Sequence, residues 1–235
     1  MSYEKITTTT EVELEKLRYR LLAMGELVEA QVRNAVHAFS SGDPNLAEAV
    51  LRKEAEVNVL EMELDNACAE LIAKRQPEAI DLRRVLTSAK VVSNLEQIGD
   101  LAKKIAKYTT AVNDLSVVQA RKVTEVEILA SQALAALRDA LASYSKLDTT
   151  AAQAVIDAEP TLEDHYQGIA RQVLSFAMED SRLMSWSLMV TAATKAVERV
   201  GHQATKIAQH AIYAAEARDV RHSRSVASSE PAVAE

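Results

Sequence analysis

The chain has 235 residues, a formal net charge of −7, 48% hydrophobic residues and only 4% aromatic ones. The acidic balance argues against a nucleic-acid partner, which requires a basic face, and a single cysteine excludes an internal disulfide and any cysteine-built zinc site. The N-terminus lacks the apolar core of a signal peptide, and no run approaches about 18 uninterrupted apolar residues, so a cytoplasmic protein that crosses no membrane is expected.

Residues 1–10 carry charges and a threonine run and read as a flexible arm. From Glu11 to Ser40 apolar residues recur in steps of three and four (Leu14, Leu17, Leu21, Met24, Val28, Val32), the signature of one buried face of a long helix. Ser40-Ser41-Gly42-Asp43-Pro44 ends it, with glycine as C-terminal cap, Asp43 as the next N-cap and Pro44 in the first turn. A second helix is predicted over Pro44–Arg75, broken by Pro77, and a third over about Glu78–Val112. The second half repeats this plan. A fourth helix is expected over about Val117–Ser145 and a fifth from Asp148, kinked or restarted at Pro160; a sixth spans about Ser181–Ala217. The tail beyond Arg218 lacks periodicity and reads as disordered. The expected fold class is all-α: two tandem, sequence-related three-helix bundles, residues 11–113 and 114–217, built from six long helices, with the tail at 218–235.

The duplication is explicit at two places. Leu95-Glu-Gln-Ile-Gly-Asp-Leu-Ala-Lys-Lys-Ile-Ala106 and Val197-Glu-Arg-Val-Gly-His-Gln-Ala-Thr-Lys-Ile-Ala208 align at an offset of 102 residues. Helices two and five align at 105, Asp43 with Asp148, Glu54 with Glu159 and Asn58 with Glu163, the difference being absorbed in a loop. Gly99 and Gly201 are two of only five glycines, and a glycine inside a helix costs about 1 kcal/mol relative to alanine. Close helix contact, or clear space above the neighbouring acids, would offset that cost.

Those acids are the candidate site. Glu96 and Asp100 lie one turn apart on one face, where like charges repel unless a cation lies between them. Helix two offers Glu54, Asn58, Glu61 and Asp65, and helix five Glu159 and Glu163. In the second copy Glu198 keeps its carboxylate while His202 replaces the aspartate, a pair better suited to iron, manganese, zinc or nickel than to calcium or magnesium. The competing reading is a solvated acidic face. Cys68 and Trp186 read as packing residues; His37, His165, His210 and His222 read as surface or boundary residues. Arg83 and Arg84 are either solvated or a basic spot for a partner. No Glu-x-x-His pair, Gly-rich phosphate loop, nucleophile elbow or His-Glu-x-x-His is present, so catalysis is not indicated.

The chain resembles the PhoU family of bacterial phosphate-signalling regulators over nearly its whole length. The resemblance rests on Leu95-Glu-Gln-Ile-Gly-Asp100, on Lys74-Arg-Gln-Pro77 with Asp81-Leu-Arg83, on Val57-Asn58 with Glu61 and Asp65, and on Met178-Glu-Asp180. It implies tandem three-helix bundles whose carboxylate pairs hold divalent or iron-type metal ions in some members. It also implies a negative regulator of the phosphate-starvation response, an adaptor between the ATPase subunit of a phosphate ABC transporter and a sensor histidine kinase. Such a protein would reach the membrane through its partners, and many members are thought to be homodimers. A metal-sensing or metal-storage bundle is the alternative. Gln97, where the family has arginine, His202, where it has aspartate, and Asn58 and Tyr166 depart from the pattern, which counts against metal binding in the second half and makes metal dispensable for the role.

Overall fold

The computed structural model describes residues 2–113 and 124–221. Its helices are α1 (Ser2–Ser41), α2 (Pro44–Arg75), α3 (Ala79–Asn113), α4 (Thr124–Lys146), α5 (Thr149–Glu179) and α6 (Met184–Glu216), with a short 3-10 turn at Ser181–Leu183 and no strand among the described residues. In each half the third helix packs on the other two: α3 on α1 and α2, α6 on α4 and α5. The halves meet through α3 against α6 and α1 against α4, so α2 and α5 lie on the outside. The buried apolar side chains of both halves merge into one core.

Local chemistry sets the helix ends. Asp43 Oδ1 accepts from the amides of Asn45 and Leu46, and Asp148 Oδ1 accepts from that of Ala151, closing the N-termini of α2 and α5. The preceding helices end alike, with Asp43 N–H on Ala38 C=O at 3.0 Å and Asp148 N–H on Ser143 C=O at 2.9 Å. The residue before each aspartate adopts a left-handed backbone, Gly42 at φ 69° and Leu147 at φ 54°. Glycine does this freely. Leucine does it at a cost that packing of its side chain against the core offsets.

Several expectations are corrected. The segment expected as a flexible arm is helical from Ser2, because nothing in it breaks a helix, and Thr10 is already buried. α5 does not restart at Pro160 but runs on through it, with that residue exposed on the outer helix. The chain beyond α6 stays ordered through Arg221: Ala217 turns left-handed at φ 59°, and Val220 folds back to 9% exposure. His210 is not a boundary residue but buried, and burial, aided by Lys90 and Arg221, pulls its pKa down to about 4. Cys68 and Trp186 are core residues as expected, Trp186 lying 6.4 Å from Phe176 between ring centroids. The expected start of helix four, residues 117–123, His222 and the rest of the tail lie outside the described residues.

The repeated glycines are explained by close helix contact. A methyl group at Gly99 would lie 3.2 Å from Val57 Cγ1, and one at Gly201 only 2.0 Å from Leu162 Cδ2. Val57 and Leu162 correspond under the 105-residue offset, as the glycines do under the 102-residue offset. Each half therefore sets an apolar knob from its second helix into the glycine of its third. We expect Gly201→Ala alone to lower the melting temperature, because crowding of this kind costs about 1–3 kcal/mol against a helix gain of about 1 kcal/mol. Introduced on top of Leu162→Ala, the same change should instead raise the melting temperature by about 2–4 °C. Thermal denaturation of the four proteins in this cycle measures the coupling.

Candidate functional site

The knob contact brings the carboxylate-bearing faces of α2 and α3 together. Glu54 and Asn58 share a hydrogen bond of 3.2 Å, and Lys103 Nζ donates to Glu54 Oε1 at 2.6 Å while lying 3.9 Å from Asp100. This lysine, with Asn58, holds the Glu54 carboxyl below the usual carboxylate range in spite of burial. The neighbours behave oppositely. Burial first, then repulsion from Asp100, Glu61 and Glu54, raises Glu96; burial, then Asp65 and Asp100, raises Glu61. Glu54, Asn58, Glu61, Glu96 and Asp100 thus form one electrostatically coupled patch, with Asp65 at its exposed edge.

The second half solves the same problem with different residues. His202 occupies the position of Asp100, and its Nδ1 lies 2.6 Å from Glu159 Oε1, so histidine itself makes the cross-helix bond that an aspartate cannot make to a carboxylate. The counterpart of Lys103 is accordingly free to be Thr205, which is buried and bonds the carbonyl of Gly201. Lys195 Nζ lies 2.7 Å from Glu198 Oε2, an ion pair off the angle of a hydrogen bond, and 4.7 Å from the centre of the Tyr166 ring. Glu163 is exposed and joins no ion pair among the described residues.

Among the described residues no three of His, Cys, Asp and Glu converge to hold one metal ion. With Lys103 on Glu54 and Lys195 beside Glu198, each acidic pair has an internal ammonium as its cation. Both lysines escaped notice in the sequence, although each stands three residues from its acid (Asp100 to Lys103, Lys195 to Glu198), a helical pairing distance. Arg84 lies 3.5 Å from Asp81, and its carbonyl accepts from Ser88, which ties it into the fold; Arg83 is half-buried near the start of α3.

Comparison with known proteins gives this geometry a lineage. The sequence profile of the PhoU domain matches residues 21–109 and again residues 126–211, one match on each helical half. The chain belongs to the PhoU family. It is 35% identical over 210 residues to the phosphate-specific transport system accessory protein PhoU of Edwardsiella tarda, covering 89% of this chain and 86% of that one. It is 33% identical, at the same coverage, to the PhoU protein of Escherichia coli strain K12. The crystal structure of PhoU from Pseudomonas aeruginosa superposes with a TM-score of 0.84 at 34% identity, covering 88% of this chain and 99% of that one. The PhoU regulatory protein of Streptococcus pneumoniae shares the fold with a TM-score of 0.82 at 22% identity, covering 90% of this chain and 99% of that one. PhoU relatives thus match the whole two-bundle arrangement that presents both acidic patches.

Two outcomes follow from the electrostatics. Lys103→Ala should destabilise by no more than about 1 kcal/mol, because the Lys103–Glu54 pair is partly exposed, at 32% and 18%. It should also make the melting temperature respond to added Mn2+ or Mg2+ where the parent protein responds less. Glu96→Gln should raise the melting temperature by about 1–3 °C at pH 7. The folded state binds the Glu96 proton more tightly than the unfolded one, so the parent loses stability as pH rises from the unfolded value of 4.5 through the raised folded value. The variant's advantage should therefore vanish below about pH 4.5, as melts at pH 4 and pH 7 will show.

Proposed function

We propose that the chain is a negative regulator of the phosphate-starvation response that also limits phosphate uptake. In this reading it acts as an adaptor between the ATPase subunit of a phosphate ABC transporter and a sensor histidine kinase. The reading is carried by the PhoU-domain match on both halves, together with relatives at 33–37% identity named as accessory proteins of phosphate-specific transport systems or their homologues. No helix among the described residues is long and apolar enough to cross a membrane, so contact with the membrane would come through the partners.

The architecture suits regulation by binding. A ligand-like partner shifts a two-state protein only as far as its affinities for the two states differ, and long helices offer wide surfaces for such discrimination. Two i,i+4 apolar pairs, Leu174 with Met178 and Met184 with Leu188, flank the α5–α6 connection, and each of these residues is at least 46% exposed. Apolar side chains displayed in this way are what a protein partner, or a second copy in a homodimer, covers. The role assigns the protein no catalytic step and requires no resident metal. Metal at those patches is proposed to be exchangeable and sub-stoichiometric.

Deletion of the gene should switch on a phosphate-starvation reporter in phosphate-rich medium, and a plasmid copy should switch it off again. Full repression in the deletion strain would sink the proposal. Elemental analysis of protein purified without chelator gives the companion measurement, with less than one metal ion per chain expected.

A further inference from the structure

The seam between the bundles contains a cluster of charge that lies largely outside the acidic patches. α3 and α6 border a groove of about 380 Å³ lined by Gln97, Lys103, Lys104, Lys107, Arg199 and Gln203, with Asp100 at its edge. With Lys103 set against Glu54, Lys104, Lys107 and Arg199 against Asp100 leave a local charge of +2 in a chain whose net charge is −7. Lys103 is committed to Glu54. Lys104, Lys107 and Arg199 form no ion pair among the described residues, although a protein rich in Asp and Glu has carboxylates to offer.

A buried amide relay gives the groove a direction. Asn94 Nδ2 donates to Gln203 Oε1 at 2.8 Å, and Gln203 Nε2 donates to Gln97 Oε1 at 2.9 Å. Asn94 is 6% and Gln203 2% exposed, so the relay sits inside the seam. Because the acceptor end of Gln97 is used, its exposed amide is left with N–H donors at the groove. The groove therefore combines donors and positive charge, the complement of an anion.

We propose that this groove binds a multiply charged phosphate-bearing anion, with Arg199 as the forked donor and Lys104 and Lys107 as point charges. About two negative charges match the local excess, and a volume of this order holds a small ligand. Arg and Lys together suit phosphate oxygens, which accept a guanidinium fork and separate ammonium groups at once. The duplication keeps only part of this charge. The counterpart of Lys104 is Lys206, but those of Lys103 and Lys107 are Thr205 and Gln209, and Arg199, whose counterpart is Gln97, reaches the groove from the other half. A ligand there would contact both bundles. The inference rests on the groove alone and stands or falls separately from the adaptor reading.

Titration calorimetry of the full chain with inorganic tripolyphosphate at low salt should show binding that weakens steeply as ionic strength rises. Arg199→Glu should weaken it at least about tenfold. Gln97→Glu, which keeps the acceptor that Gln203 needs but removes the donors, should weaken it about three- to tenfold. Arg171→Glu, an exposed reversal on α5 outside the groove, should leave binding unchanged, and circular-dichroism melts should show all three variants folded. Flotation with phosphatidylglycerol vesicles, against phosphatidylcholine alone, provides the lipid arm. Arg199-dependent binding to vesicles but not to tripolyphosphate supports the same chemistry from a headgroup source. Absence of both, binding that ignores Arg199→Glu and Gln97→Glu, or equal affinity for citrate overturns the proposal.

Discussion

The close approach of the second helix to a glycine of the third organises each half. In each half an apolar side chain of the second helix, Val57 or Leu162, occupies the space that a side chain at Gly99 or Gly201 would need. That near approach brings the faces of neighbouring helices within reach of hydrogen bonds, and both acidic patches follow from it. Glu54 could not meet Lys103, nor Glu159 meet His202, if the helices stood apart. A third glycine plays the same part between the halves: a methyl group on Gly25 of α1 would lie 2.5 Å from Leu141 Cδ1 of α4. Gly168, with nothing within 4 Å, follows no such rule.

The duplicated halves keep this packing and change the charges above it. A carboxylate at position 100 cannot bond the carboxylate of Glu54, so a lysine one turn further on bridges them. A histidine at the equivalent position 202 bonds Glu159 directly, and the equivalent of the lysine becomes a buried threonine. The two patches are thus different answers to one constraint, which is that like charges brought together on packed helices need a cation. The raised pKa values of Glu96 and Glu61 show that one ammonium only partly meets that need in the first half.

The seam between the bundles is where duplication gives way to asymmetry. It holds a polar relay, Asn94–Gln203–Gln97, inside an otherwise apolar junction, and a second polar lock where Tyr144 Oη meets Thr87 and Ser88. Buried hydrogen bonds across a junction favour one register, because any other breaks them at a cost of about 1–3 kcal/mol for each group left unpaired. The halves are therefore locked to one another by specific contacts as well as by shared apolar core, as expected of a surface that spans both.

The sequence by itself determined the helical fold, the cap at Asp43, the α2 limits, the duplication and the family. All of these are local or periodic: spacing of three and four places an apolar face, and a cap needs only its next few residues. It also singled out the acids and both glycines. It did not show which acids share a patch, because the relation between Glu54 and Glu96 depends on how two helices pack. It missed Lys103 and Lys195 as the cations, His210 as a core residue, and the return of Val220 to the core. Nor could it join Lys104 and Lys107 to Arg199, some ninety residues away. Only the tertiary structure decided these, since charge, burial and hydrogen bonding between distant segments are set by packing and not by position in the chain.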